Sequence, residues 1–249
     1  MVCETFSDAD TIIHRLDGRV RLLAAAGLSV ATALAGRFDA LAVGLAGGGC
    51  LAAAARLPVG PVLKRLRSLN LFLLVLVVVL PLSVPGDPLL RVGPLAASRE
   101  GLAKAASIVL KANAIVLTLT ALLSTLEPMA LGRAMGRLRV PNKLIHLYFF
   151  TVRYIDVLHH EYERLRRAMR VRCFRPGVNR QTYRGIGYLV GMLLVKSFDR
   201  SERIVAAMKC RGFDGRFRTV GGGRLARRDA AFAAAAVGLL GLLEWLQWR

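Results

Sequence analysis

Two stretches of this 249-residue sequence place the same residue types at the same spacing. Ala168-Met169-Arg170-Val171-Arg172-Cys173-Phe174 aligns position for position with Ala207-Met208-Lys209-Cys210-Arg211-Gly212-Phe213. Ala, Met, a basic residue, a second arginine and Phe coincide. A guanidinium presents its N–H donors as a rigid fork suited to oxygen acceptors, and apolar neighbours keep water out of such a contact. The chemistry on offer is recognition. Arg172 and Arg211 would be directional anchors, with Met169, Phe174, Met208 and Phe213 as apolar flanks. Two similar ends imply two similar receptors, such as the halves of a dimer. A plainer role stays open beside this one: a cation at a helix C-terminus offsets the helix dipole, worth about 0.3–1 kcal/mol.

Other residues that could carry chemistry lack the necessary spacing. No GxxxxGK[ST] is present, so the chain does not cradle nucleotide phosphates in the P-loop manner. Gly47-Gly48-Gly49 and Gly221-Gly222-Gly223 lack the following Lys-Ser/Thr; the first reads as a close-packing site in a helix, the second as a flexible joint. No HExxH occurs. His159 and His160 are neighbours on a predicted helix, about 100° apart, and fit a solvated face better than one metal. Cys3, Cys50, Cys173 and Cys210 form no CxxC and read as reduced thiols. No catalysis and no tight metal site are expected.

The elements that must position the arginines follow from charge and hydropathy. Hydrophobic residues make up 55% of the chain, yet 36 Lys/Arg against 16 Asp/Glu leave a formal charge of +20. The two properties occupy different stretches. Residues 133–228 hold 23 Lys/Arg and 6 Asp/Glu, hence +17, while the rest of the chain carries +3. Apolar runs lie at Val20–Ala35, Ala40–Leu57, Leu69–Val84, Leu102–Leu126 and Ala230–Leu246. This composition excludes a disordered basic tail and argues against a soluble single-core enzyme. The fold class expected is an all-α integral membrane protein with about five transmembrane helices and a cytoplasmic domain of long amphipathic helices. The boundaries are 1–126 for a four-helix amino-terminal bundle, 127–228 for the cytoplasmic domain and 229–249 for the last span.

The first two runs read as a tight helical hairpin through Gly36-Arg37-Phe38-Asp39. Within the fourth, Lys104 can snorkel outward. Lys111 and Asn113 face protein or a partner, or reach an interface on a tilted helix. Arg15, Arg19 and Arg21, the loop with Arg56, Lys64, Arg65 and Arg67, and the 133–228 block all fall on one side. The opposite loops, at Arg37/Asp39 and Asp87–Glu100, are nearly neutral. The positive-inside bias makes the basic side the cytoplasm. The amino terminus is then cytoplasmic and the carboxyl terminus outside, with Trp245 and Trp248 at the interface. Met1–Asp10 has no basic n-region, so no signal peptide is expected.

In the basic block, Pro141-Asn142 opens an amphipathic helix running to about Arg172. Leu158, Tyr162, Leu165 and Met169 line its apolar face, and Phe174-Arg175-Pro176-Gly177 stops it. A second helix runs from about Thr182 to Cys210 and stops at Gly212-Phe213-Asp214-Gly215. Ile186–Val195 is apolar but too short to cross.

Arg200-Ser201-Glu202-Arg203 through Met208-Lys209-Cys210-Arg211-Gly212-Phe213-Asp214-Gly215 resembles the second coupling motif of energy-coupling factor (ECF) T components of the CbiQ family. His14-Arg15-Leu16-Asp17-Gly18-Arg19-Val20, Lys111-Ala112-Asn113-Ala114, Pro141-Asn142-Lys143-Leu144 and Arg153-Tyr154-Ile155 add to the likeness, which covers roughly residues 11–246. The resemblance implies a non-catalytic membrane subunit of a cobalt or nickel importer in a bacterial or archaeal cytoplasmic membrane. In that family two crossed coupling helices each end in a short motif, usually Ala-Arg-Gly, whose arginine docks on one of two ABC-type ATPases. By position the motifs here are Val171-Arg172-Cys173, which keeps only the arginine, and Cys210-Arg211-Gly212, which departs only at its first residue. The resemblance further implies that this chain binds no cofactor, ATP belonging to the ATPases and Co2+ or Ni2+ to a CbiM-like membrane S component. It leaves room for a small accessory membrane subunit.

Two other classes compete. The chain could be a T component for another substrate, such as a vitamin. It could instead be a membrane-anchored scaffold for nucleic acid or lipid, given the +17 block. The basic residues lie on amphipathic helices without an aromatic stacking platform, which argues against nucleic acid, and anionic membrane lipids account for much of the charge.

Overall fold

The structure, a computed structural model, describes residues 16–83, 88–92, 95–213 and 227–248. In chain order the elements are α1 (Gly18–Leu34), α2 (Phe38–Ala54), α3 (Val59–Ser83), β1 (Pro88–Val92), β2 (Leu95–Ser98), α4 (Arg99–Leu122), α5 (Pro128–Arg137), α6 (Asn142–Val171), α7 (Arg180–Cys210) and α8 (Arg227–Trp248). Contacts divide the chain into two compact units, with the divisions at 134/135 and 221/222. His14-Arg15, the second stop residue Gly215 and the joint Gly221-Gly222-Gly223 lie outside the described residues, as does Cys3.

The first unit packs α1, α2, α3, α4 and α8. Helix ends are set locally. Asp17 caps α1 by accepting from Arg19 N at 3.1 Å, and Ser98 caps α4 by accepting from Gly101 N at 3.1 Å. The interior is built from small side chains: Ala24, Ala25, Ala55 and Ala236 pack with Leu16 and Leu122, while Ala35 and Ala40 pack with Leu28, Leu41 and Leu243. Small residues let helix backbones approach closely where no water is expelled by association. The glycine reading of α2 holds in part. A Cβ on Gly48 would lie 3.1 Å from Ala114 O and Thr118 Oγ1, and one on Gly47 would lie 2.9 Å from Leu239 Cδ2, whereas Gly49 meets nothing within 4 Å.

α4 and α8 are each long and apolar enough to cross a membrane. Their 24 and 22 residues give lengths of about 36 and 33 Å at about 1.5 Å per residue, against a hydrocarbon core of about 30 Å. α1 and α2, at 17 residues each, are shorter. Along α3 the side chains of Leu71, Phe72, Leu74, Val75, Val78 and Val79 are exposed, an apolar face that suits lipid or a protein partner.

Two sequence expectations need correction in detail. First, the stretch between α3 and α4 is not a plain loop: β1 pairs antiparallel with β2, Val92 opposite Leu95 and Pro88 opposite Ser98, with an irregularity between Pro88 and Leu90. Among the described residues the other elements are all helices. Second, α3 begins at Val59, so Lys64, Arg65 and Arg67 are helical and not in a loop. Pro61 sits in the first turn, where a missing N–H is harmless, and nothing between it and Leu69 breaks a helix. Arg21, grouped by sequence with Arg15 and Arg19 on the basic side, is 1% exposed.

The second unit contains α6 and α7, of 30 and 31 residues, close to the two amphipathic helices expected. The Phe174 ring lies over Gly185 near the start of α7, where a Cβ would come within 2.7 Å of Phe174 Cε2. Farther back along α6, Glu161 pairs with Lys196. Moving toward the amino end of α6 therefore means moving toward the carboxyl end of α7, and the two helices run antiparallel. Asn179 caps α7, its Oδ1 accepting from Thr182 N at 2.9 Å.

Candidate functional site

The two repeated segments adopt one geometry. At the end of α6, Cys173 N donates to Arg170 O at 3.0 Å and Phe174 N to Met169 O at 3.0 Å. At the end of α7, Gly212 N donates to Lys209 O at 3.0 Å and Phe213 N to Met208 O at 3.1 Å. Each is a Schellman ending, in which two reverse hydrogen bonds satisfy carbonyls that the helix leaves open. Arg172 and Arg211 are the C-cap residues, with φ/ψ of −83/23° and −92/12°.

Such an ending requires a left-handed residue just after the cap. Gly212 supplies it at φ 76°, and Cys173 at φ 59°. A side chain in that region costs about 1–2 kcal/mol, so the first end carries local strain that the second does not. The repeated Met and Phe also find a reason. They occupy the positions whose apolar contact accompanies the ending, and all four are half-buried. At the first end Met169 and Phe174 line a cleft of about 390 Å³ together with Arg172, Cys173, Asn179 and Thr182.

The arginines themselves project outward. Arg172, Arg211, Cys173, Cys210 and Gly212 are exposed, and Val171 is 84% exposed. Among the described residues neither guanidinium makes a salt bridge. The structure thus brings each triplet, Val171-Arg172-Cys173 and Cys210-Arg211-Gly212, to a free helix end. It does not bring the two triplets together, because antiparallel helices carry their C-termini in opposite directions. The arrangement can offer two separate guanidinium forks, each on a rigid stem.

Several polar residues have partners that sequence reasoning did not name. Arg21 reaches from α1 to the end of α4, donating to Leu122 O through Nε at 3.1 Å and Nη2 at 2.7 Å, and to Thr125 Oγ1. Its signal was visible: a lone arginine one residue inside an apolar run. Asp229 of α8, 4% exposed, accepts from Asp17 N at 2.9 Å and links the starts of α8 and α1. Lys111 faces protein, as one of the two readings expected, with Nζ 2.9 Å from Ala33 O. Asn113 Nδ2 likewise donates to Asn70 Oδ1 at 2.8 Å. Gln247 Nε2 donates to Leu34 O at 3.3 Å, so Lys111 and Gln247 together serve carbonyls at the end of α1.

His159 and His160 engage local partners. His159 Nε2 lies 3.5 Å from Glu163 Oε1, and His160 Nδ1 lies 2.7 Å from Asp156 O. Among the described residues no three His, Cys, Asp or Glu side chains group as metal ligands, and Cys50, Cys173 and Cys210 are free. The Glu161 carboxyl is held below its ordinary value, first by the hydrogen bond from Lys196 and further by the charges of Lys196, Arg164 and Arg200.

Residues 9–220 match the family model for CbiQ, described as a cobalt transport protein. The chain is 29% identical over 218 residues to the ECF transporter transmembrane protein EcfT of Heliobacterium modesticaldum, covering 83% of this chain and 81% of the relative. It is 29% identical over 161 residues to the cobalt transport protein CbiQ of Rhodobacter capsulatus, covering 64% and 62%. With EcfT of Listeria innocua identity is 25% over 263 aligned positions, covering 99% and 98%. With its arginine-ended helices inside the matched region, the chain belongs to the CbiQ family and is a T component of an energy-coupling factor transporter.

Proposed function

We propose that this chain couples ATP-driven motion to metal uptake in an ECF-type ABC importer for cobalt or nickel. The observation that carries the reading is the pair of Schellman endings that hold Arg172 and Arg211 outward, without ion-pair partners among the described residues. Each arginine docks on one of two cytoplasmic ATPases, which bind the ATP. ATP-driven closure of the ATPases changes the spacing of the two docking ends. The helix pair passes that change to the membrane bundle, which tips or opens the S component that binds Co2+ or Ni2+. Coupling of this kind requires contacts that differ between the open and closed ATPase states. The chain performs no catalysis in this scheme and takes no cofactor of its own.

The same reading places five helices, α1, α2, α3, α4 and α8, across the cytoplasmic membrane of a prokaryote, with the amino terminus and the α6–α7 unit inside. Charge asymmetry supports the orientation. Anionic lipids would then meet part of the basic block.

Affinity capture of the tagged chain in mild detergent tests the proposal, with wild type beside Arg172→Glu/Arg211→Glu. Wild type is expected to bring down an ABC-type ATPase and a small membrane protein, and the double variant to lose the ATPase. Retention of the ATPase by the double variant overturns the docking role. A vitamin-specific importer is the second reading, favoured by the nearly full-length match to a relative named only as EcfT. The identity of the co-purifying small membrane protein decides between the two.

A further inference from the structure

The interface between α6 and α7 has an unusual composition for two long packed helices. Its middle is polar. Glu161, on α6, is 20% exposed at the side chain and pairs with Lys196 of α7. From that pair toward the amino end of α6 the contact opens into clefts. One, of about 330 Å³, is lined by Val157, Leu158 and Glu161 from α6 and by Leu193, Lys196, Arg200 and Arg203, among others, from α7. The next, of about 340 Å³, lies between Phe150, Tyr154 and Leu158 on one helix and Ser201, Ile204 and Val205 on the other. Away from the turn, where Phe174 lies close over Gly185, the apolar part of the contact is non-directional and the clefts leave room to slide, so apolar packing there fixes the axial register of the two helices only weakly. A charged, hydrogen-bonded pair fixes register sharply, which is the best-attested use of partly buried ion pairs.

α7 offers Glu161 more than one seat. Lys196, Arg200 and Arg203 follow at steps of four and three, so they stand on one helix face, about one helical turn apart. All three line the same cleft as Glu161. Sliding α7 by about one turn, about 5.4 Å, would bring Arg200 to the place where Lys196 now sits. One-turn shifts of one packed element past another are a known form of protein switch.

We propose that Glu161 is a positioning residue for coupling: its carboxylate holds α6 and α7 in one register through Lys196, with Arg200 as a second seat one turn away. Because the helices are antiparallel, a slide along their shared axis changes the spacing of their C-termini by the same amount. Arg172 lies about three helical turns beyond Glu161 along α6, and Arg211 about four turns beyond Lys196 along α7. At about 5.4 Å per turn the docking ends therefore stand about 16 and 22 Å from the pair, in opposite directions. The ion pair sets the span that two ATPases must match. This inference rests on the coupling reading above, so its test is chosen to read the register without any partner.

Cys173 and Cys210 flank the two arginines and are exposed, which makes them natural labelling sites. In the full-length chain with Cys3→Ser and Cys50→Ser, nitroxides on Cys173 and Cys210 report the span by pulsed electron spin resonance. A single narrow distance is expected with Glu161 and Lys196 intact. Glu161→Gln should broaden it. Lys196→Met, which leaves Arg200 available, should move the main distance by about 5 Å. The exchange Glu161→Lys/Lys196→Glu should restore a narrow distribution, which a merely disrupted fold would not do. Unchanged distances in Glu161→Gln, or no recovery in the exchange, overturn the proposal. Failure of the docking reading would show elsewhere, as ATPase retention by Arg172→Glu/Arg211→Glu, and would leave these distances untouched.

Discussion

Arg172 and Arg211 occupy the same position in two copies of one helix-ending device. Each is the C-cap, each is followed by a left-handed residue and then by phenylalanine, and each has a methionine one turn before it. The coincidence extends from residue type to backbone hydrogen bonds. A cap residue cannot swing with the fraying last turn when reverse hydrogen bonds close that turn behind it. Two long helices thereby end in rigid stems for two guanidinium groups.

The two copies differ in the residue after the cap, and the difference is measurable. Cys173 adopts φ 59° with a side chain, while Gly212 adopts φ 76° without one. Cys173→Gly should relieve about 1 kcal/mol and slow exchange of the Phe174 amide about fivefold. Gly212→Ala should do the reverse at Phe213. Hydrogen exchange read by mass spectrometry on the two helix-end peptides checks both. Equal exchange in wild type and Cys173→Gly would mean that the left-handed cysteine carries no strain.

Arg21 supports a prediction about the first unit. It is buried, and its guanidinium serves Leu122 O, a carbonyl at the end of α4. Arg21→Met removes the charge but leaves that carbonyl without its donor, which costs about 1–3 kcal/mol. Thr125 Oγ1 keeps its own bond to Ala121 O at 2.8 Å and is not orphaned. Arg21→Lys retains one donor and should fall between wild type and Arg21→Met. Thermal unfolding of the purified chain in detergent ranks the three; equal midpoints would mean that the bonds are not worth their desolvation.

Much of this was legible in the sequence, and the misses have physical causes. The ends of α6 and α7 were readable because amphipathic periodicity breaks sharply and glycine or a Phe-Arg-Pro-Gly run follows. The start of α3 was misplaced because basic residues look like loop when judged by hydropathy, yet Lys64, Arg65 and Arg67 extend a helix well. Arg65 even finds a helix-end partner, Nη1 lying 3.2 Å from Ser124 Oγ. The β1–β2 hairpin lacks strong alternation. Lys196 and Glu161 matter through each other, far apart along the chain, and no local pattern reports such a pair; Arg21 stood out inside its apolar run, but its partners at the end of α4 did not. The cap geometry shared by Arg172 and Arg211 was visible only as a repeat, without the reason for its Met and Phe.

The glycine run in α2 separates close approach from empty space over adjacent positions. A Cβ on Gly48 would press on Ala114 O and Thr118 Oγ1 at 3.1 Å and on Leu117 Cβ at 3.3 Å, whereas Gly49 faces nothing within 4 Å. Gly48→Leu should drive α2 from α4 and destabilise the chain by about 1–3 kcal/mol, the usual range for overpacking. Gly49→Leu should be neutral or slightly stabilising. Unfolding midpoints in detergent compare them, and equal losses would contradict the packing described.

The last prediction concerns pH. Lys196 holds the Glu161 carboxyl below its ordinary value of 4.5, so the ionised form is favoured in the folded helix pair. A group whose folded value is depressed contributes stability that is complete above the unfolded value and lost as pH falls through the folded one. The α6–α7 register should therefore hold from neutral pH to about pH 5 and weaken below about pH 4.5. Other carboxylates titrate in the same window, so the informative quantity is a difference. Nitroxide distances between Cys173 and Cys210 should broaden on acidification in wild type. In Glu161→Gln they should already be broad at about pH 7 and change little further, because the amide cannot gain a proton there. Identical broadening of both proteins between about pH 5 and about pH 3.5 would show that other groups govern the register, and that Glu161 does not.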